Sequence, residues 1–411
     1  MGAKTARINS WQLSVATLAR RIREFAFEGE RGKKQTMNRN DSTTRHHLET
    51  GFQELQHLLD REPTDSELGR ILSKSDISLR DFCAFLSPKA EKYLEPMAQR
   101  AAELTRRHFG HIIFLFTPLY ISNYCENRCP YCSFAAQHRI RRKKLSPSEV
   151  AKEAERLSEE GIRHILVLTG EARKATPFAY LEESIEIIAQ RFSAVGIEVF
   201  PMTENEYGRL IDRGVDSLTI YQEVYDRPTF ERLHAGGPKA DYDFRLEAPV
   251  RAARANIRSL TIGALYGLFD FRREALYTAL HAEHLLERHP DVELSLSFPR
   301  LRPFEAAFDP PAPVGDRQLV QLMTAFRMLY PHVGITISTR ENREFRNGAL
   351  PLGPTKMSAG VSTAVGGHCA ESTEAQFEIA DGRSVAQLSR DLLARGFQPV
   401  THDWDFRLMS K

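Results

Sequence analysis

From His111 onward, short β-branched and aromatic runs alternate with amphipathic stretches of about 15 residues, and this alternation constrains the fold more than any other feature of the chain. Eight strands are predicted, over 112–119, 164–168, 197–202, 217–222, 260–265, 293–298, 335–339 and 356–361. Helices over 147–160, 178–192 and 316–329 are among the connections. A repeated strand-then-helix order implies a parallel sheet covered by helices. Eight such units in about 250 residues match a closed (β/α)8 TIM-type barrel of the α/β class. Polar residues follow the strands: Glu171 the second, Glu204 and Glu206 the third, Gln222 and Glu223 the fourth, Arg300 and Arg302 the sixth, Ser338 and Arg340 the seventh. In a barrel they face one mouth, where the active site forms. Taken singly, each also fits the plain reading of a strand leaving an apolar interior.

The remaining chain divides around that barrel. Residues 1–36 carry excess Arg and Lys with no apolar period and read as a basic tail, disordered or wrongly started, with Met37 the competing start. Residues 37–109 read as an N-terminal helical segment, because Leu48, Phe52, Leu55, Leu58 and Leu59 recur at three- and four-residue steps. Cap-forming residues at 63–68 and the pair Ser87-Pro88 start further helices. The barrel is expected over 110–375, and a segment capping it over 376–411.

Charge and composition narrow the function. With 56 basic against 54 acidic side chains the net charge is +2, too small for a field that would hold a polyphosphate backbone, so nucleic acid is not the expected partner. The basic run from Arg139 to Lys144 is the one feature against this, and it fits a solvated helix entry beside an anionic cluster better. No apolar run approaches the ~20 residues of a membrane span, and no secretory signal is recognisable, so a cytoplasmic protein without a membrane partner is expected. Five cysteines, three of them between Cys125 and Cys132, make an odd, clustered set that suits metal chemistry better than disulfides.

Those three, Cys125, Cys129 and Cys132, follow the first predicted strand with Tyr124, Tyr131 and Phe134 around them. Zinc would need a fourth donor, for which His138 is nearest. An iron-sulfur cube held by three thiolates instead keeps one iron open to a small molecule.

The Cx3Cx2C loop with Tyr131 before its last cysteine resembles that of the radical S-adenosylmethionine enzymes. The resemblance implies one [4Fe-4S] cluster on Cys125, Cys129 and Cys132 and S-adenosyl-L-methionine on the open iron. Reduction would then yield a 5′-deoxyadenosyl radical that abstracts a substrate hydrogen. It further implies Tyr131 beside the adenine, and Thr169-Gly170-Glu171 as a Gly-Gly-Glu-like segment at the methionine amino group, with threonine replacing one glycine. Glu206 is assigned to the ribose, with Glu223 and Gln222 as alternatives.

Longer stretches resemble the aromatic amino acid lyases of that class: Leu119-Tyr120-Ile121-Ser122-Asn123-Tyr124-Cys125, Tyr221-Gln222-Glu223-Val224-Tyr225, Ser297-Phe298-Pro299-Arg300-Leu301-Arg302-Pro303, Ile337-Ser338-Thr339-Arg340-Glu341, Gln376-Phe377-Glu378-Ile379 and Asp403-Trp404-Asp405. The likeness runs from about Thr43 to Asp405 and is nearest the branch that cleaves the Cα–Cβ bond of L-tyrosine to dehydroglycine (2-iminoacetate) and p-cresol for the thiamine thiazole. It implies delivery to a thiazole synthase and a reductant such as flavodoxin or ferredoxin.

An amino acid substrate needs a planar cation for its carboxylate. Arg300 and Arg302 are the expected forks, with Ser338 and Arg340 as further donors and loop salt bridges as the alternative use. His234 is expected at the phenol oxygen, although a histidine on the surface fits the pattern too. Tyr221, Tyr225 and Tyr266 are ring-pocket or core residues. The hydrogenase-maturation relatives carry a second cysteine-bound cluster, whereas downstream of Cys132 this chain has only Cys369. Cleavage of tryptophan is the alternative reaction, and a colourless zinc protein the alternative class.

Overall fold

The computed structural model describes residues 43–302, 308–369 and 373–402. The tail at 1–36, Met37, Pro303 and the matching stretch at 403–405 lie outside the described residues.

Eight parallel strands form the barrel: β1 (Ile112–Ser122), β2 (His164–Thr169), β3 (Ala194–Glu198), β4 (Val215–Glu223), β5 (Ser259–Ala264), β6 (Glu293–Ser297), β7 (Gly334–Ile337) and β8 (Lys356–Ser358). They pair in chain order, and β1 closes the ring by pairing with both β8 and β2. Strands covered on both faces should be apolar throughout rather than alternating. Accordingly every residue of β5 is buried, as is β1 from Leu115 to Ser122. Hydroxyl side chains such as Ser217, Ser259, Thr261 and Ser295, together with Gly196 and Gly334, leave a cavity in the N-terminal half of the barrel.

Three strand expectations needed correction. β3 begins at Ala194, where it pairs with His164, and ends at Glu198. The predicted segment was displaced toward the C-terminus because Val199, Phe200 and Met202 continue the apolar run after the strand, buried in the loop that leaves it. β8 is three residues long, ending at Ser358. A ninth strand, β9 (Gln398–Val400), went unforeseen: it adds parallel to the start of β1, opposite Ile112 to Phe114. Its proline is tolerable only on such an edge, and three residues leave no period to read. Part of the segment expected to cap the barrel is therefore a further strand, fed by the helix Val385–Ala394.

The N-terminal helices lie on the barrel's outer helices. Leu94–Phe109 packs along Asp316–Leu329, and Thr44–Leu55 along Phe271–Arg288, burying Leu48, Phe52 and Leu55. Thr64 caps the helix Asp65–Leu72 and Ser87 caps the turn behind it, where the sequence placed cap residues. Among the described residues no helix is long and apolar enough to cross a membrane.

Candidate active site at the mouth of the barrel

Two backbone irregularities shape the mouth. The β1–β2 register slips between Tyr120 and Ser122, at the point where the chain turns into the cysteine loop. The β4–β5 register slips between Tyr221 and Glu223, and Glu223 adopts a positive φ of 68°. Such bulges re-aim side chains, here sending the Glu223 carboxylate into the cavity.

The loop itself is held by polar side chains that expect no solvent. Asn123 donates Nδ2 to the Arg141 carbonyl at 2.9 Å and accepts the Lys143 amide at 2.7 Å. Arg142 donates to the carbonyls of Asn123, Phe134, Ala135 and His138. Lys143 pairs with Glu149, and Lys144 reaches the Ala175 carbonyl over the Tyr180 ring. Within the basic run Arg142 braces the loop through half-buried carbonyl contacts, while Arg139, Arg141 and Lys144 are exposed ahead of the helix Pro147–Glu159. Gly170 lies so close under the loop that a Cβ would sit 2.3 Å from the Tyr124 carbonyl oxygen.

Cys125, Cys129 and Cys132 line one cavity with Thr169, Gly170, Glu171, Glu198, Glu223, Lys239, Arg245 and Gln376. Among the described residues no three Cys, His, Asp or Glu side chains converge on a single metal ion. Burial pushes the Cys129 thiol up to about 12, and its neighbours Cys125 and Cys132 add to the rise. Cationic metal relieves that penalty, since a coordinating thiol is deprotonated outright. The rim also suits a small polar cofactor: the Thr169 hydroxyl oxygen is buried with no partner among the described residues, and Glu171 is held by Asn127 at 2.7 Å. The residues present therefore fit both a [4Fe-4S] cluster and S-adenosylmethionine.

Glu223 binds Lys239 at 2.8 Å and Arg245 at 3.3 Å. Burial alone would raise its carboxyl, but the two cations outweigh it and hold it near 2. Glu206, the residue assigned to the ribose, is instead the capping-box partner of Thr203 in the helix Glu204–Asp212 and pairs with Arg173 at 2.5 Å, away from the cavity-lining set. Gln222, the other alternative, is buried toward the Tyr242 carbonyl. A single acid flanked by cap residues at a helix start is the signal that should have marked Glu206 as structural.

A second cavity adjoins the first, sharing Tyr120, Leu168, Glu198 and Gln376 as walls. Arg340, Ser338, Tyr221, Thr363 and Phe377 complete it. The Arg340 guanidinium lies 3.6 Å from the centre of the Phe377 ring, and among the described residues no carboxylate stands within ion-pair distance of it. Burial lifts the Glu198 carboxyl to about 7, with Arg340 opposing the rise. Sequence reasoning missed Glu198, although a lone acid inside the apolar run Gly196-Ile197-Glu198-Val199-Phe200 is itself a signal.

The expected arginine pair does not face this space. Arg300 is bound by Glu341, by Asp316 at 2.8 Å and by the Val314 carbonyl at 3.0 Å, the loop salt bridge that was the alternative reading. Arg302 is half-buried with Nε unpartnered among the described residues, and neither arginine lines either cavity. Ser338 lines the second cavity and accepts the Arg340 amide through Oγ at 3.4 Å. His234 is neither on the surface nor in the cavity. Its Nδ1 meets the Phe230 carbonyl at 2.8 Å and its Nε2 meets the Tyr131 hydroxyl at 2.6 Å. The carbonyl only accepts, so Nδ1 carries the proton and Tyr131 donates to Nε2. Burial, then Lys239, pushes the imidazole down to about 3, so it stays neutral. Tyr131 is correspondingly buried and does not line the three-thiol cavity. Tyr225 and Tyr266 are core residues, and Tyr221 alone of the three reaches the cavity.

A three-thiol loop after the first strand of a parallel barrel, beside a cofactor-sized cavity, defines the radical S-adenosylmethionine class. The model of that superfamily matches residues 119–280, and that of the biotin and thiamin synthesis associated domain matches 297–398. The chain is 39% identical over 346 residues to the 2-iminoacetate synthase of Escherichia coli, covering 83% of this chain and 91% of the relative. It belongs to the 2-iminoacetate synthase family of radical S-adenosylmethionine enzymes. Among solved structures it is similar to the FeFe-hydrogenase maturase HydG of Carboxydothermus hydrogenoformans, with a TM-score of 0.83, 29% identity and coverage of 89% and 87% of the two chains. Methylornithine synthase shares the fold, with a TM-score of 0.67 at 18% identity, over 84% of this chain and 99% of that one.

Proposed function

We propose that this enzyme is a tyrosine lyase, cleaving the Cα–Cβ bond of L-tyrosine to 2-iminoacetate and p-cresol for the thiazole of thiamine. The observation that carries the reading is the shared wall of Tyr120, Leu168, Glu198 and Gln376, which joins the three-thiol cavity to one presenting the Arg340 guanidinium. Bound there, the cluster and S-adenosylmethionine supply one-electron chemistry that removes a hydrogen atom from the substrate. This chain's residues hold and orient the reactants. Cys125, Cys129 and Cys132 hold the cluster. Glu171, the Gly170 backbone and the Thr169 hydroxyl meet the amino acid end of the cofactor, and Glu223, with Lys239 and Arg245 fixing it, takes the ribose in place of Glu206. Arg340 binds the substrate carboxylate with Ser338 beside it, and Glu198 accepts from the amino group. Arg300 braces the loops around this pocket through Glu341. His234 acts behind the first layer, fixing Tyr131 under the loop.

After hydrogen abstraction at nitrogen the Cα–Cβ bond breaks, leaving 2-iminoacetate and a benzylic fragment that takes up one electron and one proton to become p-cresol. A flavodoxin or ferredoxin provides the electrons. The water-sensitive imine favours transfer to a thiazole synthase in the same compartment, the cytoplasm.

Anaerobic turnover with S-adenosylmethionine and dithionite tests the reading against each of tyrosine and tryptophan. Formation of 5′-deoxyadenosine, p-cresol and glyoxylate from tyrosine alone is expected. Indole products from tryptophan, or an intact cluster that consumes neither substrate, overturn it.

A further inference from the structure

The segment after β8 returns over the cysteine loop and is pinned there. The Ser133 hydroxyl lies 2.9 and 2.8 Å from the carbonyls of Ala375 and Gln376, the Arg141 amide donates to Glu374 at 3.0 Å, and the Gln376 amide donates to the Thr363 carbonyl at 3.1 Å. This places the Gln376 side chain between the buried Tyr120 and the half-buried Cys132. Its Oε1 accepts the Tyr120 hydroxyl at 2.8 Å, and its Nε2 points to the Cys132 sulfur at 3.7 Å. The amide orientation is fixed by its partners: a thiolate only accepts, so the NH2 faces sulfur and the carbonyl is left for the tyrosine.

We propose that Gln376 sets the reduction potential of the cluster, through an N–H···S hydrogen bond to Cys132 that Tyr120 holds in place. The inference rests on the assignment of Cys132 as a cluster ligand. One electron enters the cluster from a one-electron reductant, with no bond of the protein made or broken. That electron increases negative charge on the sulfurs, so a donor aimed at one of them stabilises the reduced form more than the oxidised form and raises the potential. The effect is enlarged because the Tyr120 end of this chain of bonds is buried, where hydrogen bonds are electrostatically stronger than in water. Gln376 also lines both cavities, so it can report cofactor binding to the cluster. It is a tuning residue, distinct from the groups that bind substrate.

The test is a mediated redox titration of the full chain, reconstituted without oxygen and followed by electron paramagnetic resonance, with iron counted in each sample. Gln376→Leu is expected to load iron as the parent does, with its half-reduction point moved to more negative potential. Tyr120→Phe, which frees the amide to turn, is expected to move it in the same direction by less. Superimposable titrations of parent and both variants at equal iron overturn the inference while leaving the functional reading intact. Where Gln376→Leu fails to take up iron, Tyr120→Phe decides alone, and an unshifted curve overturns the inference. A parent protein that holds no four-iron cluster, or whose resonance ignores S-adenosylmethionine, overturns the functional reading and this inference together.

Discussion

Arg300 and Glu341 meet across the loops that follow β6 and β7, both largely buried, and the pair commits the guanidinium before any substrate arrives. Replacing Arg300 with Gln strands the Glu341 carboxylate. The variant should lose roughly 3–5 kcal/mol of stability, as expected for breaking a buried pair from one side. Its affinity for tyrosine, measured on material that remains folded, should change little. A large rise in KM with unchanged denaturation would restore Arg300 to the substrate.

Arg340 should behave in the opposite way. Lysine keeps the charge but loses the planar fork, so Arg340→Lys is expected to weaken tyrosine binding about 10- to 100-fold, the equivalent of ~1.5–3 kcal/mol for hydrogen bonds to a charged group. Thermal stability should be nearly unchanged. Equilibrium binding of tyrosine to the reconstituted protein checks this.

Glu198 makes stability depend on pH with a definite sign. Its carboxyl titrates near 7 when folded, against an ordinary value of 4.5, so between those values the folded chain holds more proton than the unfolded one. Its contribution to stability is therefore full below about 4.5, is lost as pH rises toward 7, and stays constant above. In Glu198→Gln that slope should vanish from urea denaturation curves taken across the window. Tyrosine binding by the parent should strengthen as pH passes through about 7, where the carboxylate of the folded chain forms.

Gly170 leaves no space for a side chain beneath the cysteine loop. Because the obstruction is the Tyr124 carbonyl, a backbone atom, Gly170→Ala must displace the loop. Reconstituted iron should fall well below the parent's, with the barrel's circular dichroism retained. Full iron loading in this variant would show that the loop has room to move.

Tyr131 and His234 form a buried pair whose members should couple. Loss of either partner leaves a buried polar group unsatisfied, costing about 1–3 kcal/mol, whereas Tyr131→Phe combined with His234→Leu should cost less than the sum of the two. A double-mutant cycle on denaturation midpoints measures the difference.

The barrel and its metal loop were legible because each rests on a local pattern: strand-helix alternation for the first, thiol spacing for the second. What failed depended on tertiary partners. Arg300 and Arg340 are the same residue type at neighbouring strand ends, and the positions of Glu341 and Asp316 separate the paired guanidinium from the one facing the cavity. Glu198 was hidden by a three-residue displacement of β3, which put it inside a strand instead of at its exit. Gln376 comes from a long irregular return with no period, so nothing near it in sequence announces Tyr120 or Cys132 as neighbours. Glu206 misled because an acid after a strand and an acid capping the next helix look alike until the hydrogen bonds are seen.

The parallel pairing of β9 with the beginning of β1 bears on how the molecule is made. The opening strand of the barrel finds three neighbours, two of which, β8 and β9, lie far downstream of it in the chain. Ring closure therefore joins distant parts of the chain, and the edge of β1 stays unpaired until those partners arrive.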